Sequence, residues 1–295
     1  MALTLDPVTP DFVAVAGGID IARAPSPAEV AAIDEAMDKY AVLVWRGQPL
    51  SQEQQLAFAR SFGELDIGLK RVFKRPERFV SEELIDISNT RADGTVTARD
   101  DARNLSNFAN QLWHSDSSFM RPKGCYSMLA AVHLPSWGGE TEFADLRAAY
   151  DSLPERERRE IEGVWAEHSP LHSRILLAGD SGYSEEQKKL MPPVQWPLVQ
   201  THPGSGRKLL FVGAHITRFL GWSVAESRLL AADLLEHATQ RGNVYRHAWA
   251  DGDMVMWDNR ATVHRGRRYD LAERRELRRT TTNDMASMAW SQAAE

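Results

Sequence analysis

Trp113-His114-Ser115-Asp116 sets a histidine and a carboxylate two positions apart, and Trp257-Asp258-Asn259-Arg260-Ala261-Thr262-Val263-His264 adds another histidine 150 residues after the first. On a strand, residues i and i+2 share one face, so a short extended segment can aim an imidazole and a carboxylate at a single point. The chain has nine histidines, so His114 and Asp116 alone also fit a hydrogen-bonded surface pair. Two histidines and one carboxylate, however, make up the facial ligand set of a non-haem Fe(II) centre. That set leaves three coordination positions open for a co-substrate and O₂.

Three further features support the site. Gly138-Gly139-Glu140-Thr141 places Thr141 27 residues after His114. Arg275 and Arg279 follow His264 by 11 and 15 residues, and Trp257 precedes it by 7.

With these residues in place, the chain resembles the taurine dioxygenase superfamily of Fe(II)/2-oxoglutarate dioxygenases, and within it the aryloxyalkanoate-cleaving branch. The resembling segments are Val42 to Ser51, Asn107 to Phe119, Gly138 to Tyr150, Thr201 to Lys208, Glu236 to Gln240 and Trp257 to Thr281. They span nearly the whole chain, and 1–295 is read as one catalytic domain. The resemblance implies a double-stranded β-helix (jelly roll) of the α+β class, mainly β in its core, with flanking helices. It also implies Fe(II) held by His114, Asp116 and His264, with 2-oxoglutarate and O₂ as co-substrates and ascorbate as reductant. The far carboxylate of 2-oxoglutarate needs a buried cation, best met by the planar fork of an arginine, plus a hydroxyl. Arg275 and Thr141 take those roles by resemblance, with Trp257 packed beside the co-substrate.

Arg279 lies four residues after Arg275, on the same face of an extended segment, and is expected to meet the substrate's acidic group. Lys70 and Arg71 are the candidates for a second basic contact from an early loop. Arg71 stands where the family carries a lysine, so either residue can fill the role, and a solvated loop is the plain alternative. Asn110 and His215 are expected near the substrate, and His202 in the same aromatic pocket. Arg274 and Arg278, an odd number of steps from Arg275, are expected on the other face as exposed charge. Asp258 is a rival carboxylate near His264, but its Trp-Asp-Asn-Arg setting suits an Asx turn. His133, His168, His172, His237 and His247 are read as structural or exposed.

The implied reaction hydroxylates the carbon next to the ether oxygen of an aryloxyacetate such as 2,4-dichlorophenoxyacetate, giving a phenol and glyoxylate with succinate and CO₂. Alternatives are a related dioxygenase acting on a sulfonate, alkyl sulfate or aryloxypropionate, and a non-catalytic sensor binding metal or small acids. Taurine-type enzymes carry a histidine in the early loop, where this chain has Lys70-Arg71.

Composition is compatible and excludes some classes. The formal net charge of −6 argues against a partner bound through phosphates, so no nucleic acid is expected. Cys125 is the only cysteine, so no internal disulfide forms; a cytoplasmic setting follows, with Cys125 a small apolar residue on a strand. The start, Met1 to Pro7, lacks the basic and apolar regions of a signal peptide, and no stretch is long enough to span a bilayer. A homo-oligomer is expected by analogy with the superfamily.

The local pattern predicts helices where capping boxes stand. Ser26 with Glu29, Ser51 with Gln54 and Ser223 with Glu226 each open an apolar-periodic run. Leu146 to Arg159 reads as helix broken near Pro154. Strands are expected at Ala41–Trp45, Leu84–Ser88, Tyr126–His133, Leu209–Val212, Met254–Trp257, Thr262–His264 and Arg278–Thr282. Residues 178–197, rich in Gly, Pro and charge, read as an irregular excursion over the surface.

Overall fold

The Val42–Trp45 strand shows how the layers are set. Its side chains alternate: Val42 and Val44 join one buried apolar cluster, Leu43 and Trp45 another. A strand buried on both faces needs a layer on each side. The computed structural model describes residues 2–72 and 78–290 and supplies both layers.

The larger sheet has seven strands in the order Thr4–Pro7, Val13–Gly17, Val42–Trp45, Met254–Asp258, Lys123–His133, Glu276–Asp284 and Ile85–Ser88. All neighbours are antiparallel except Val13–Gly17 with Val42–Trp45. Helices Pro27–Tyr40 and Gln52–Arg60 cover its outer face, where Ile33, Met37, Leu56 and Phe58 pack on Leu43, Trp45, Met128 and Met256. All three expected capping boxes are formed.

A smaller sheet orders Val244–His247, Thr141–Asp145 and Thr262–Gly266. It faces the larger sheet across a core that includes Phe143, Trp257, Val255, Leu129 and Leu277. Phe143 and Trp257 bring their rings to 5.4 Å across the gap. Truncating a ring at such a position costs about 3–5 kcal/mol. The two sheets and their helices form the jelly roll expected from the resemblance.

Period-two alternation gives the smaller sheet two distinct faces. Thr141, Phe143 and His264 share the inner face; Glu142, Ala144, Val263 and Arg265 share the outer one, where Ala144 and Val263 enter a third apolar cluster.

The predicted break at Pro154 is present, with helices Leu146–Ser152 and Glu155–Ile161 on either side. Residues 178–197 differ from expectation. They carry a short capped helix, Glu185–Lys189, and the strand Val194–Pro197, which pairs with Trp165–His168. The Ser184–Gln187 capping box starts that helix despite the polar composition.

Arg278 also differs from expectation. It is buried, donating from Nε to Gln55 Oε1 at 2.9 Å and from Nη2 to the Leu50 carbonyl at 2.7 Å. The outer face of its strand is covered by helix Gln52–Arg60, so the reverse side of the Arg275 face is interior rather than solvent. Arg274 does lie partly exposed, paired with Glu276. Cys125 sits on the Lys123–His133 strand against the outer core, where burial pushes its thiol up to about 12.

Candidate active site

His114 and His264 are joined through their backbones. The His114 N–H donates to the His264 carbonyl at 3.0 Å, and the reverse bond measures 2.8 Å. The 113–116 segment is therefore not a regular strand; it is one antiparallel bridge residue running into a turn. Ser117, at φ 53°, bends the chain after Asp116, and its Oγ donates to Asp66 Oδ2 at 2.6 Å. Bridge and turn together perform the convergence expected of a strand.

His114 Nδ1 lies 2.7 Å from the Leu112 carbonyl, so the N–H sits on Nδ1 and the Nε2 lone pair is left free. That Nε2 is 3.8 Å from Asp116 Oδ1, and His264 Nε2 is 3.7 Å from Asp116 Oδ2. One donor atom from each of the three side chains lies within 4.8 Å of the others, and all three side chains are buried. Two imidazoles and a carboxylate at this spacing fit a six-coordinate metal that keeps open positions. Burial lowers the imidazole pKa values, His264 well below the ordinary value, which keeps both rings neutral as metal binding requires. Burial alone would raise the Asp116 carboxyl. The Arg279 guanidinium beside it, with the Ser127 hydroxyl, outweighs burial and holds Asp116 ionised.

Both carboxylate oxygens of Asp116 also accept hydrogen bonds from the surrounding fold. Arg279 Nη1 donates to Oδ1, and Ser127 Oγ donates to Oδ2 at 2.7 Å. Ser127 has one proton and gives it to Asp116, so Thr281, 2.9 Å away, is the donor in its own contact with Ser127. Asn259 Oδ1 accepts from the Asp116 N–H and from Trp257 Nε1, while its Nδ2 donates to Ser127 Oγ. A Cβ at Gly124 would sit 2.7 Å from the Asp116 carbonyl, so only glycine allows this strand so close.

Two compartments meet at this cluster. The smaller, about 50 Å³, is bordered by Thr141, Trp257, His264, Arg267, Tyr269 and Arg275. Arg275 Nη2 donates to the Gly139 carbonyl at 2.8 Å, and among the described residues its buried Nε has no partner. Burial pulls the Arg275 guanidinium down to about 10, still protonated at neutral pH. Trp249 Nε1 donates to Thr141 Oγ1 at 3.1 Å, which leaves the Thr141 hydroxyl proton for another acceptor.

The larger compartment, about 250 Å³, is bordered by apolar side chains including Phe79, Ile85, Ile87, Phe119 and Pro170, together with His215, Lys70 and Arg279. His215 stands edge-on to Phe119 at 4.7 Å and to His114 at 5.9 Å between ring centroids. Asn110 borders both compartments, and its carbonyl accepts from the Gly266 N–H. Lys70 Nζ donates to the Leu84 carbonyl at 3.0 Å on the same wall. The Arg71 side chain lies outside the described residues.

One expectation resolves differently and one holds. His202 is buried away from the pocket, with Nε2 2.9 Å from Asp258 Oδ2. Asp258 forms the expected Asx turn with the Arg260 N–H at 2.8 Å and also grips the Arg260 guanidinium, so its charge is consumed locally. Ser127, Asn259 and Trp249 escaped sequence reasoning, since each acts across the sheets rather than within a motif.

The family model described as "Taurine catabolism dioxygenase TauD, TfdA family" matches residues 4–281. The chain is 58% identical over 286 residues to the alpha-ketoglutarate-dependent 2,4-dichlorophenoxyacetate dioxygenase of Cupriavidus pinatubonensis, covering 97% of this chain and 99% of that one. It is 35% identical to the (S)-phenoxypropionate/alpha-ketoglutarate-dioxygenase of Sphingobium herbicidovorans, covering 93% and 92%. Among solved structures, AAD-2 in complex with Mn(II) and N-oxalylglycine superposes with a TM-score of 0.88 at 42% identity, covering 96% and 97%. No described helix is long and apolar enough to cross a membrane.

Proposed function

Since the chain belongs to the TauD/TfdA family of 2-oxoglutarate-dependent dioxygenases, we propose that it cleaves aryloxyacetates such as 2,4-dichlorophenoxyacetate by hydroxylating the carbon beside the ether oxygen. The residues 4–281 that match the family support reading the chain as one catalytic domain. The observation that carries the substrate is the pairing of an apolar, ring-sized compartment with Arg279 at the His114–Asp116–His264 cluster, in a chain 58% identical to a relative named for that substrate.

Fe(II) held by His114, Asp116 and His264 would supply the activation of O₂ that this reaction needs. The residues of the chain do the rest by positioning. Arg275 and the free Thr141 proton grip the distal carboxylate of 2-oxoglutarate, with Trp257 as a wall. Arg279 divides its donors: Nη1 goes to Asp116, while the buried Nε, unpartnered among the described residues, is left for the substrate carboxylate. Lys70 or Arg71 completes the anion clamp. Phe119, Phe79 and His215 hold the aryl ring and exclude water. The carboxylate is then fixed so that the carbon between it and the ether oxygen faces the metal cluster. The hydroxylated product is a hemiacetal; its O–H proton passes to the ether oxygen as the carbon–oxygen bond breaks, releasing phenol and glyoxylate. Succinate and CO₂ come from 2-oxoglutarate.

The test is anaerobic loading with Fe(II) and 2-oxoglutarate, then air and 2,4-dichlorophenoxyacetate. Phenol and succinate in equal amounts, lost in His114→Ala and sharply reduced in Arg279→Ala, are expected. Succinate without phenol would reject this substrate class and move the assay to aryloxypropionates, sulfonates and alkyl sulfates. Neither product, with metal bound, would leave a metal- or acid-binding sensor.

A further inference from the structure

On the outer face of the smaller sheet, a groove of about 510 Å³ is bordered by Arg241, Arg246, Arg265 and Arg267, with Glu142, Thr239, Val244 and Trp113. Strand register explains the gathering. Arg246 and Arg265 sit directly opposite Glu142 on the strands to either side of it. Glu142 accepts from Arg246 Nε at 2.9 Å and from Arg265 Nε at 2.8 Å, and Arg267 Nη1 is 3.7 Å away. Arg265 also lies over the Trp113 ring at 4.5 Å. Three guanidinium groups therefore surround one carboxylate, and Arg241 adds a fourth to the groove. Counting Glu140, 4.0 Å from Arg246, the groove still carries an excess of two positive charges in a chain whose net charge is −6.

This excess sits beside the co-substrate compartment. Arg267 borders both spaces, and Thr141 and His264 of the inner face are the sequence neighbours of Glu142 and Arg265 on the outer face. We propose that this arginine groove is a loading surface for small dicarboxylate dianions, drawing 2-oxoglutarate past Arg267 to Arg275. The proposal rests on the reading that the Arg275–Thr141 compartment takes 2-oxoglutarate. A groove with a net excess of one sign of charge concentrates oppositely charged ligands and raises their association rate, in a manner that salt suppresses. Arg275 then retains the dianion, so the groove governs arrival and the compartment governs residence.

Arg241 is the informative residue, because it is exposed, is part of the groove and does not border the inner compartment. The test mixes Mn(II)-loaded protein with 2-oxoglutarate and follows intrinsic tryptophan fluorescence, since Trp257 borders the compartment. Arg241→Glu is expected to lower the association rate constant about three- to tenfold at about 0.01 M salt, with the dissociation rate unchanged. The difference should shrink below about twofold near 1 M salt, where screening acts within about 3 Å. Arg23→Gln, removing a charge beside helix Pro27–Tyr40 on the outer face of the larger sheet, should leave the rate within about twofold of the parent at both salt concentrations, and Arg23→Glu likewise once its fold is confirmed by circular dichroism. Equal association rates in Arg241→Glu and parent at low salt overturn the loading surface, as does an equal loss in Arg23→Glu. Arg275→Gln separates the premise: if it binds 2-oxoglutarate as tightly as the parent, the compartment reading fails and the loading route with it. If its affinity collapses while Arg241→Glu loads normally, only the loading route fails.

Discussion

Gly139 and Arg275 are interlocked: the Gly139 carbonyl accepts from Arg275 Nη2 at 2.8 Å, and a Cβ on Gly139 would lie 2.8 Å from Arg275 Nε. Gly139 also adopts φ 76°, where a side chain costs about 1–2 kcal/mol by itself. Gly139→Ala should therefore push the guanidinium out of register with Thr141. The expected result is a rise in KM for 2-oxoglutarate of about tenfold, equivalent to ~1.4 kcal/mol of lost contact. KM for the aryloxyacetate should stay within about twofold, because the proposed contact for that acid is Arg279 rather than Arg275. Steady-state kinetics with each substrate varied in turn checks this; parallel rises in both constants would show a general distortion of the site instead.

Ser127 holds Asp116 Oδ2 from a neighbouring strand and is itself held by Asn259 and Thr281. Groups that orient a metal ligand in this way typically contribute 10–100-fold to metal affinity. Ser127→Ala should weaken Mn(II) binding by about that range, while Thr281→Val, one contact further out, should weaken it less. Competition with a fluorescent chelator gives both values. An unchanged affinity in Ser127→Ala would mean that Arg279 and the Asn259-fixed backbone orient the carboxylate unaided.

How much of this was legible beforehand depended on distance along the chain. The capping boxes at Ser26, Ser51 and Ser223 are four-residue signals, and all three formed. His114, Asp116, His264, Thr141, Arg275 and Arg279 stood out because their chemistry and spacing form a recognisable set, and the fold brings them to one place. Ser127, Asn259 and Trp249 carry no local signal; a serine on a strand or an asparagine in a turn is ordinary until the sheets are assembled. Arg278 was misread for the same reason. Alternation places it opposite Arg275, but whether that side meets water depends on helix Gln52–Arg60, more than two hundred residues earlier.

Arg279 is joined to Asp116 through Nη1, so under the proposed function one planar group would serve both the substrate anion and the His114–Asp116–His264 cluster. A lysine keeps the charge but can serve only one partner well from that position. Arg279→Lys should therefore raise KM for the aryloxyacetate about tenfold or more and also weaken Mn(II) binding, with KM for 2-oxoglutarate changed least. Loss of substrate affinity with metal affinity intact would show that the Asp116 contact contributes nothing to holding the metal.

His168, which itself borders neither compartment, offers a test of stability. It is fully buried, stacked on Phe211 at 5.4 Å, and among the described residues neither ring nitrogen has a hydrogen-bond partner. Burial pulls its pKa from the ordinary 6.5 down to about 3, with nearby Lys123 adding to the effect. Between those values the unfolded chain binds a proton that the folded chain refuses. The stability contributed by the neutral ring is thus complete above about pH 6.5 and is lost as pH falls towards 3. His168→Phe removes the titrating group and keeps an aromatic ring against Phe211. Urea unfolding at about pH 7 and about pH 5 should show the parent losing on the order of 2 kcal/mol more than the variant over that interval. His168→Leu serves as a second variant if the larger ring does not fit. Equal losses in parent and both variants would mean that the buried imidazole acquires its proton without unfolding.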